Sequence, residues 1–161
     1  MFKKVLVPLD GSRFSSRAIR YASEIARRFD AKLIFIQVVP PTTPVPTTTG
    51  VAPGIESPAA AEIAMQTALM EDKKKVSSAK RYLSRKVRDI KPEGVKASYN
   101  VIVGDPSSSI MLFSKKEKID LIVMTTHGKS GLKRAIMGSV ADSVIRESGK
   151  PVLVIRAKKS N

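Results

Sequence analysis

The chain has 161 residues, a length typical of one domain, and it contains no cysteine. The absence of cysteine excludes disulfides, a thiol nucleophile and cysteine-ligated metals, and the single histidine excludes a multi-histidine metal site. Lysine and arginine number 29 against 14 acidic residues, so the formal net charge is +15. This excess indicates an anionic partner, for which nucleic acid, a membrane surface and a phosphorylated ligand are the candidates.

Two of these partners are disfavoured by other features of the sequence. No apolar run approaches the roughly 20 residues of a membrane span, and the N-terminus lacks the apolar core of a signal peptide. A cytoplasmic location without membrane association is therefore expected. Aromatic residues make up only 5% of the chain and tryptophan is absent, which argues against a protein that stacks nucleic-acid bases.

Short apolar runs alternate with helical patterns along the chain. Strands are predicted at 1–9, 33–39, 96–103, 120–124 and 152–155. Helices are predicted at 14–29, 60–90, 107–118 and 138–147, and the spacing in the last of these places Val140, Val144 and Ile145 inward. The alternation predicts an α/β, Rossmann-like fold with a single open parallel five-stranded sheet and helices on both faces.

The segment 40–60 differs in composition from the rest of this single predicted domain, 1–161. It holds six of the ten prolines, and no lysine or arginine occurs from Pro40 to Asp72. That acidic stretch carries a charge of −4, so the remainder of the chain carries +19. The segment is predicted to be a loop insertion, either a mobile lid or a loop without a role.

Two predicted strand ends carry residues suited to binding a ligand. In parallel sheets, ligands bind beyond the carboxyl ends of the strands, where the strand order reverses. The first strand ends in Pro8-Leu9-Asp10, and the fourth is followed by His127-Gly128. Gly138-Ser139 opens a helix, whose free N–H groups and positive dipole end suit a phosphate.

The charges of the residues near these two strand ends suggest different roles for them. Gly128 lets the backbone approach an anion closely, and the loop cations Lys129, Lys133 and Arg134 can neutralise a polyphosphate. Asp10 has the wrong sign for a phosphate and is expected to face a base, a ribose or a metal, or only to form a turn.

The joint spacing of these motifs resembles the universal stress protein family over essentially the whole chain. The matching segments are KKVLVPLDGS at the start, GDP at 104–106, THGKSGLKRAIMGSVADSVI at 126–145, and KPVLVIR near the end. ATP-binding members show glycine, two residues, glycine, nine residues, then glycine and serine or threonine. Gly128, Gly138 and Ser139 fit this pattern, whereas Thr125 stands at its first glycine.

The resemblance implies an ATP site, with Mg²⁺ or Mn²⁺ accompanying the phosphates. The implied adenosine contacts are Pro8, Leu9, Asp10 and Val38. The implied ribose and phosphate contacts are Met124, Thr125, His127, Gly128, Gly138, Ser139 and Val140. The Thr125 side chain either crowds the ligand or donates a hydrogen bond to it. The resemblance also implies a homodimer formed through the last strand, 152–155, which is apolar throughout and lies at a predicted sheet edge.

Three functions are consistent with the sequence. The first is an adenine-nucleotide-binding module of stress response or signalling, in which ATP acts as a switch or structural ligand and is hydrolysed slowly at most. No catalytic residue is assigned, because Asp10 is the one carboxylate near the predicted site. The second is an interaction module of the same family without nucleotide, which Thr125 favours, and the third is non-specific nucleic-acid binding.

Two other phosphate-binding motifs are disfavoured by their surroundings. Gly128-Lys129-Ser130 resembles the end of a P-loop, but Val123 stands where that motif needs its first glycine. The GxxG pattern from Gly128 to Gly131 resembles the RNA-clamping loop of KH domains, which joins two helices, whereas here a strand precedes it.

Overall fold

The computed structural model describes residues 1–42, 58–126 and 138–156, apart from the side chains of residues 58 and 60. Strands and helices alternate along these residues. In chain order they are β1 (Lys4–Pro8), α1 (Arg17–Phe29), β2 (Lys32–Val39), α2 (Pro58–Ile90), β3 (Ala97–Val103), α3 (Pro106–Lys116), β4 (Leu121–Thr125), α4 (Ser139–Glu147) and β5 (Val152–Ile155). The predicted fold class is confirmed.

All five strands run parallel in one sheet, in the order β3-β2-β1-β4-β5. The central strand β1 contains an unbroken apolar run, and its Val5, Leu6 and Val7 are fully buried. Val5 lies opposite Leu33 of β2 and Leu121 of β4. The strand order therefore reverses between β1 and β4, which is where a parallel sheet opens a crevice for a ligand.

Helices cover both faces of the sheet and divide the core into two layers. On one face, α1 and α2 pack against the strands, with Leu83 of α2 fully buried. On the other face, α3 and α4 do the same, with Val144 of α4 fully buried. Because successive strand side chains point to opposite faces, Val5 and Val7 belong to the first layer and Leu6 to the second.

The structure corrects two details of the predicted helices. Helix α1 begins at Arg17, not at Phe14, because hydroxyls at 12–16 bond locally: Ser12 Oγ accepts from the Ser15 backbone N at 3.0 Å. Phe14 is consequently exposed, with the Arg17 guanidinium 5.4 Å from its ring centre. In α4 the periodicity predicts Ile145 inward, but it is 39% exposed.

The segment 40–60 lies outside the described residues except at its two ends. At the first end, Thr42 donates from its backbone N to Asp72 Oδ1 at 2.8 Å and also donates from its hydroxyl to the same oxygen. These hydrogen bonds lower the pKa of Asp72. None of the helices in the described part combines the length and hydropathy that a membrane span requires.

Candidate functional site

A cavity of about 880 Å³ lies beyond the carboxyl ends of the strands, at the reversal point between β1 and β4. Its walls come from the ends of β1, β2 and β4, the start of α3, the start of α4 and the middle of α2. Small-molecule sites typically measure about 300–1,000 Å³, so a nucleotide-sized molecule fits within it.

The structure brings together all the predicted site residues that it describes. Nine of the eleven line this cavity: Pro8, Leu9, Asp10, Val38, Met124, Thr125, Gly138, Ser139 and Val140. The other two, His127 and Gly128, lie outside the described residues, as do the loop cations Lys129, Lys133 and Arg134.

The β1 side of the cavity is a turn held by hydrogen bonds of Asp10. Its Oδ1 accepts from the Ser12 backbone N at 2.9 Å, and its own backbone N donates to Ser15 Oγ at 3.3 Å. Just before it, the Leu9 backbone N donates to the Ile36 carbonyl at 2.8 Å, which extends the pairing of β1 with β2. One carboxylate oxygen of Asp10 therefore stabilises the turn that carries it.

The β4 side of the cavity is joined to the start of α4 through the backbone. The Gly138 N donates to the Thr126 carbonyl at 2.8 Å, and the Thr126 N donates to the Ile155 carbonyl at 3.1 Å. These bonds hold the first turn of α4 at the carboxyl end of β4. Thr126 and Gly138 are therefore adjacent at this edge of the cavity.

The N-terminus of α4 is built differently from that of α3. Asp105 caps α3, because its Oδ1 accepts from the Ser108 backbone N at 2.9 Å, and this bond lowers the pKa of Asp105. The corresponding residue of α4 is Gly138, and no side-chain hydrogen bond caps this helix. Ser139 and Val140 of the first turn line the cavity, at the end of the helix where N–H groups lack helical partners and the dipole is positive.

The cavity also has an apolar part. Val38, Ile110, Met124 and Val140 line it, and Met124 is 5% exposed. Thr125, at the position of the first glycine in the predicted motif, is 7% exposed and lies in the same wall. An apolar slot beside a helix N-terminus can bind a planar apolar group joined to an anion.

Sequence reasoning missed the wall that α2 contributes. Lys75, Ser78, Tyr82 and Arg85 line the cavity and recur at helical spacing. The Tyr82 hydroxyl is 2.8 Å from Ser16 Oγ, which joins this wall to the turn before α1. The spacing is visible in the sequence, but that this part of α2 reaches the ligand-binding edge is not.

Gln37 of β2 is a second lining residue that the sequence did not indicate. Its Oε1 is inaccessible to water and has no hydrogen-bond partner among the described residues. A buried acceptor of this kind is uncommon.

Metal-binding groups are scarce among the described residues around this cavity. In residues 1–42, 58–126 and 138–156, no three histidine, cysteine or acidic side chains cluster to hold an ion. Among the described lining residues, Asp10 is the one acidic side chain. A cation in this site would therefore take most of its ligands from the bound molecule.

Comparisons with known proteins agree with this architecture. The model of the "Universal stress protein family" matches residues 1–156. The chain is 35% identical over 160 residues to universal stress protein MJ0531 of Methanocaldococcus jannaschii, covering 99% of this chain and 85% of that one. The solved structure of MJ0577 from the same archaeon is similar with a TM-score of 0.80 and 26% identity over 99% of both chains.

A second solved structure carries a ligand. It is a universal stress protein family protein from Arabidopsis thaliana with AMP bound, similar with a TM-score of 0.59 and 21% identity, covering 98% of this chain and 93% of that one. At this identity the likeness concerns the fold alone.

Proposed function

Because the chain belongs to the universal stress protein family, we propose that it is an adenine-nucleotide-binding module of stress response or signalling. The observation that carries the proposal is the N-terminus of α4, which lacks a side-chain cap and faces an apolar slot where the strand order reverses. The Arabidopsis relative with AMP bound supports an adenine nucleotide as the ligand.

Each part of the nucleotide has a place in this proposal. The base lies in the slot between Val38 and Met124, and the phosphates accept from the first-turn N–H groups at Ser139 and Val140. Asp10, which carries the opposite charge to a phosphate-binding residue, lies beside the ribose. Mg²⁺ or Mn²⁺ accompanies the phosphates, because such ions are commonly held by phosphate oxygens together with one or two carboxylates.

In this proposal ATP acts as a switch or structural ligand and is turned over slowly at most. Fast hydrolysis needs a base aimed at the attacking water. Among the described lining residues Asp10 is the sole acidic candidate, and one of its oxygens is engaged by the Ser12 backbone N. A slow ATPase remains compatible with the site, and a catalytic residue is not assigned.

Ligand-induced stabilisation tests the proposal directly. At a hundredfold excess of ATP over its Kd, binding to the folded state alone adds about 2.7 kcal/mol to the free energy of unfolding. Nucleotide released from freshly purified protein is identified by mass spectrometry. A melting temperature that stays flat through millimolar ATP with Mg²⁺ or Mn²⁺, together with no extracted nucleotide, refutes it.

A second candidate is an interaction module of the same family that does not bind nucleotide. The observation in its favour is Thr125, which is buried in the cavity wall where ATP-binding members have glycine. Thr125→Gly separates the two roles of this side chain: the variant binds ATP more tightly if the threonine crowds the ligand, and more weakly if its hydroxyl donates to it.

We also propose that two copies pair through β5. This strand is the last of the sheet order, and its four residues are partly exposed at the free edge. An uncovered apolar edge strand presents unpaired N–H and C=O groups to another chain. The cytoplasmic location stays a prediction.

A further inference from the structure

Helix α2 is much longer than the sheet against which it packs. Its 33 residues extend about 50 Å, whereas β2, with eight residues, extends about 26 Å. The α2 core side chains with an exposed fraction below 5% are Ala79, Leu83 and Ile90, all in its second half, and Ala68 in the first half is 9% exposed. Residues 61–67 are all exposed. We call residues 61–73 the α2 extension.

The α2 extension exposes large apolar side chains. Ile63, Met65, Leu69 and Met70 are 65%, 54%, 46% and 64% exposed. Single exposed apolar residues are ordinary, but here four occur within eight consecutive positions. None of them belongs to either apolar layer of the core. Apolar residues on several sides of a helix are typical of a helix that is covered by a partner.

One face of the α2 extension carries charges of opposite sign at its two ends. Glu62, Gln66, Leu69 and Lys73 recur at steps of four, three and four, so they lie within about 60° of one another around the helix. Met65 and Met70 flank this stripe on its two sides. Gln66 Nε2 donates to Glu62 Oε1 at 3.4 Å. Among the residues described, no acidic group forms an ion pair with Lys73.

We propose that the α2 extension pairs antiparallel with the same segment of a second copy of this chain, about a two-fold axis between Thr67 and Ala68. This axis places Glu62 opposite Lys73 of the partner subunit, and Met65 opposite Met70 of the partner subunit. Two identical ion pairs and an apolar centre result. A parallel pair would place Glu62 against Glu62 of the partner subunit, which is repulsive.

The distribution of charge also favours a second copy at this segment. Two chains of net charge +15 repel each other over most of their surfaces. No lysine or arginine occurs from Pro40 to Asp72, and this stretch contains Glu62, Glu71 and Asp72. Two copies therefore meet with the least repulsion where the α2 extension lies. The surface of the α2 extension is self-complementary, as the interface of a two-fold dimer requires.

A charge exchange tests the pairing without reference to any nucleotide. Glu62→Lys and Lys73→Glu each replace two attractive pairs with two repulsive ones, and each is expected to weaken association about tenfold by sedimentation equilibrium. The double variant restores both attractive pairs with the two charges exchanged, and its association constant is expected within about threefold of that of the original chain. Lys74→Glu, with the same charge change about 100° around the helix, is the matched control.

Either of two results in that series overturns the proposal. One is a double variant that associates as weakly as the single variants. The other is a control variant that weakens association as much as Lys73→Glu does. Pairing of β5 edges by itself gives a dimer in every variant, so the comparison is made on the additional association step that the α2 extension provides.

Cross-linking gives the geometry independently, because the chain has no cysteine. Gln66→Cys and Ser77→Cys both place one thiol on the proposed face. In the antiparallel pair, equivalent positions are offset along the axis by about 4–5 Å at residue 66 and about 28 Å at residue 77. A short bis-maleimide is expected to cross-link the first variant and not the second.

Equal cross-linking at the two positions indicates a parallel pair and overturns the proposal. So does the absence of cross-linking at residue 66 at concentrations where the chain is oligomeric. Leu69→Glu adds a third readout, since it is expected to reduce association. If it lowers only the melting temperature and leaves association unchanged, the α2 extension is covered by its own chain, and the proposal is wrong.

Discussion

Replacing Gly138 with aspartate separates the stability of the fold from the binding of phosphate. Gly138 precedes α4 with φ −64° and ψ 146°, an extended conformation that any residue adopts. Aspartate at this position accepts from a first-turn N–H, as Asp105 does at the start of α3. Together with the helix dipole, this cap is expected to raise the free energy of unfolding by about 0.3–1 kcal/mol without ligand.

The same carboxylate opposes a phosphate in the proposed site. It occupies an N–H group that the phosphate needs and adds a negative charge beside it. Two unit charges about 4 Å apart interact by about 4 kcal/mol at an effective dielectric constant of 20. A hundredfold loss of ATP affinity needs only about 2.7 kcal/mol. Stabilisation by a fixed ATP concentration then falls from about 2.7 to about 0.4 kcal/mol.

Thermal unfolding measures both effects in one experiment. For a chain of this size, 2.7 kcal/mol corresponds to a shift in Tm of about 5–11 °C. Gly138→Asp is expected to raise Tm slightly without ligand and to lose most of the ATP-induced shift. Gly138→Asn is the matched control, since asparagine caps a helix comparably without adding charge. A full ATP-induced shift in Gly138→Asp refutes phosphate binding at α4, and a lower ligand-free Tm refutes the capping step.

Three further predictions concern the core, the response to acid and the sheet edge. Leu83→Ala is expected to lower the free energy of unfolding in urea by about 2–5 kcal/mol, because Leu83 is fully buried; a loss below 1 kcal/mol contradicts this. Asp120 Oδ2 accepts from the backbone N of Lys3 at 2.8 Å and of Lys4 at 2.9 Å, and these bonds lower its pKa. The stabilisation is therefore present above the unfolded pKa of Asp120 and is lost as pH falls through the lower folded value. Asp120→Asn is expected to lower the free energy of unfolding by about 1–3 kcal/mol at pH 7. It is also expected to reduce the loss of stability as the pH falls below neutral, and an unchanged pH dependence contradicts this role of Asp120. At micromolar concentration, static light scattering is expected to show at least a dimer, and a monomer contradicts pairing through β5 (Val152–Ile155).

The elements of this fold were predictable because a parallel sheet leaves a strong pattern. Buried parallel strands read as unbroken apolar runs, and β5 begins and ends at the predicted residues. The start of α1 was not predictable from periodicity, because the hydroxyls of Ser12 and Ser15 offer the backbone local hydrogen bonds in place of a helical turn. Ile145 was placed inward by its spacing, but α4 buries only a narrow stripe that contains Ala141 and Val144.

The site was predictable only where its residues belong to local motifs. Pro8 to Asp10 and Met124 to Thr125 end adjacent strands, so the topology alone brings them together. Tyr82 and Arg85 enter the same cavity because α2 crosses over the sheet and passes its carboxyl edge. The position of α2 at this edge depends on tertiary packing, and no local sequence pattern in α2 indicates it.

Non-specific nucleic-acid binding makes a prediction different from nucleotide binding. The second half of α2 carries eight lysine and arginine residues and no acid between Lys73 and Arg88. If such a surface contacts three or four phosphates, the logarithm of the association constant falls with the logarithm of the salt concentration with a slope of about −3. Lys75 and Arg85 line the cavity, but the other six cations do not, so saturating ATP is expected to leave most of this surface free and not to displace DNA. We expect binding to duplex DNA to be weak at 50 mM salt and undetectable at 200 mM by fluorescence anisotropy. Tight binding at 200 mM salt contradicts this expectation and indicates that nucleic acid is a partner of these cations. Displacement of DNA by ATP contradicts the separation of the two sites.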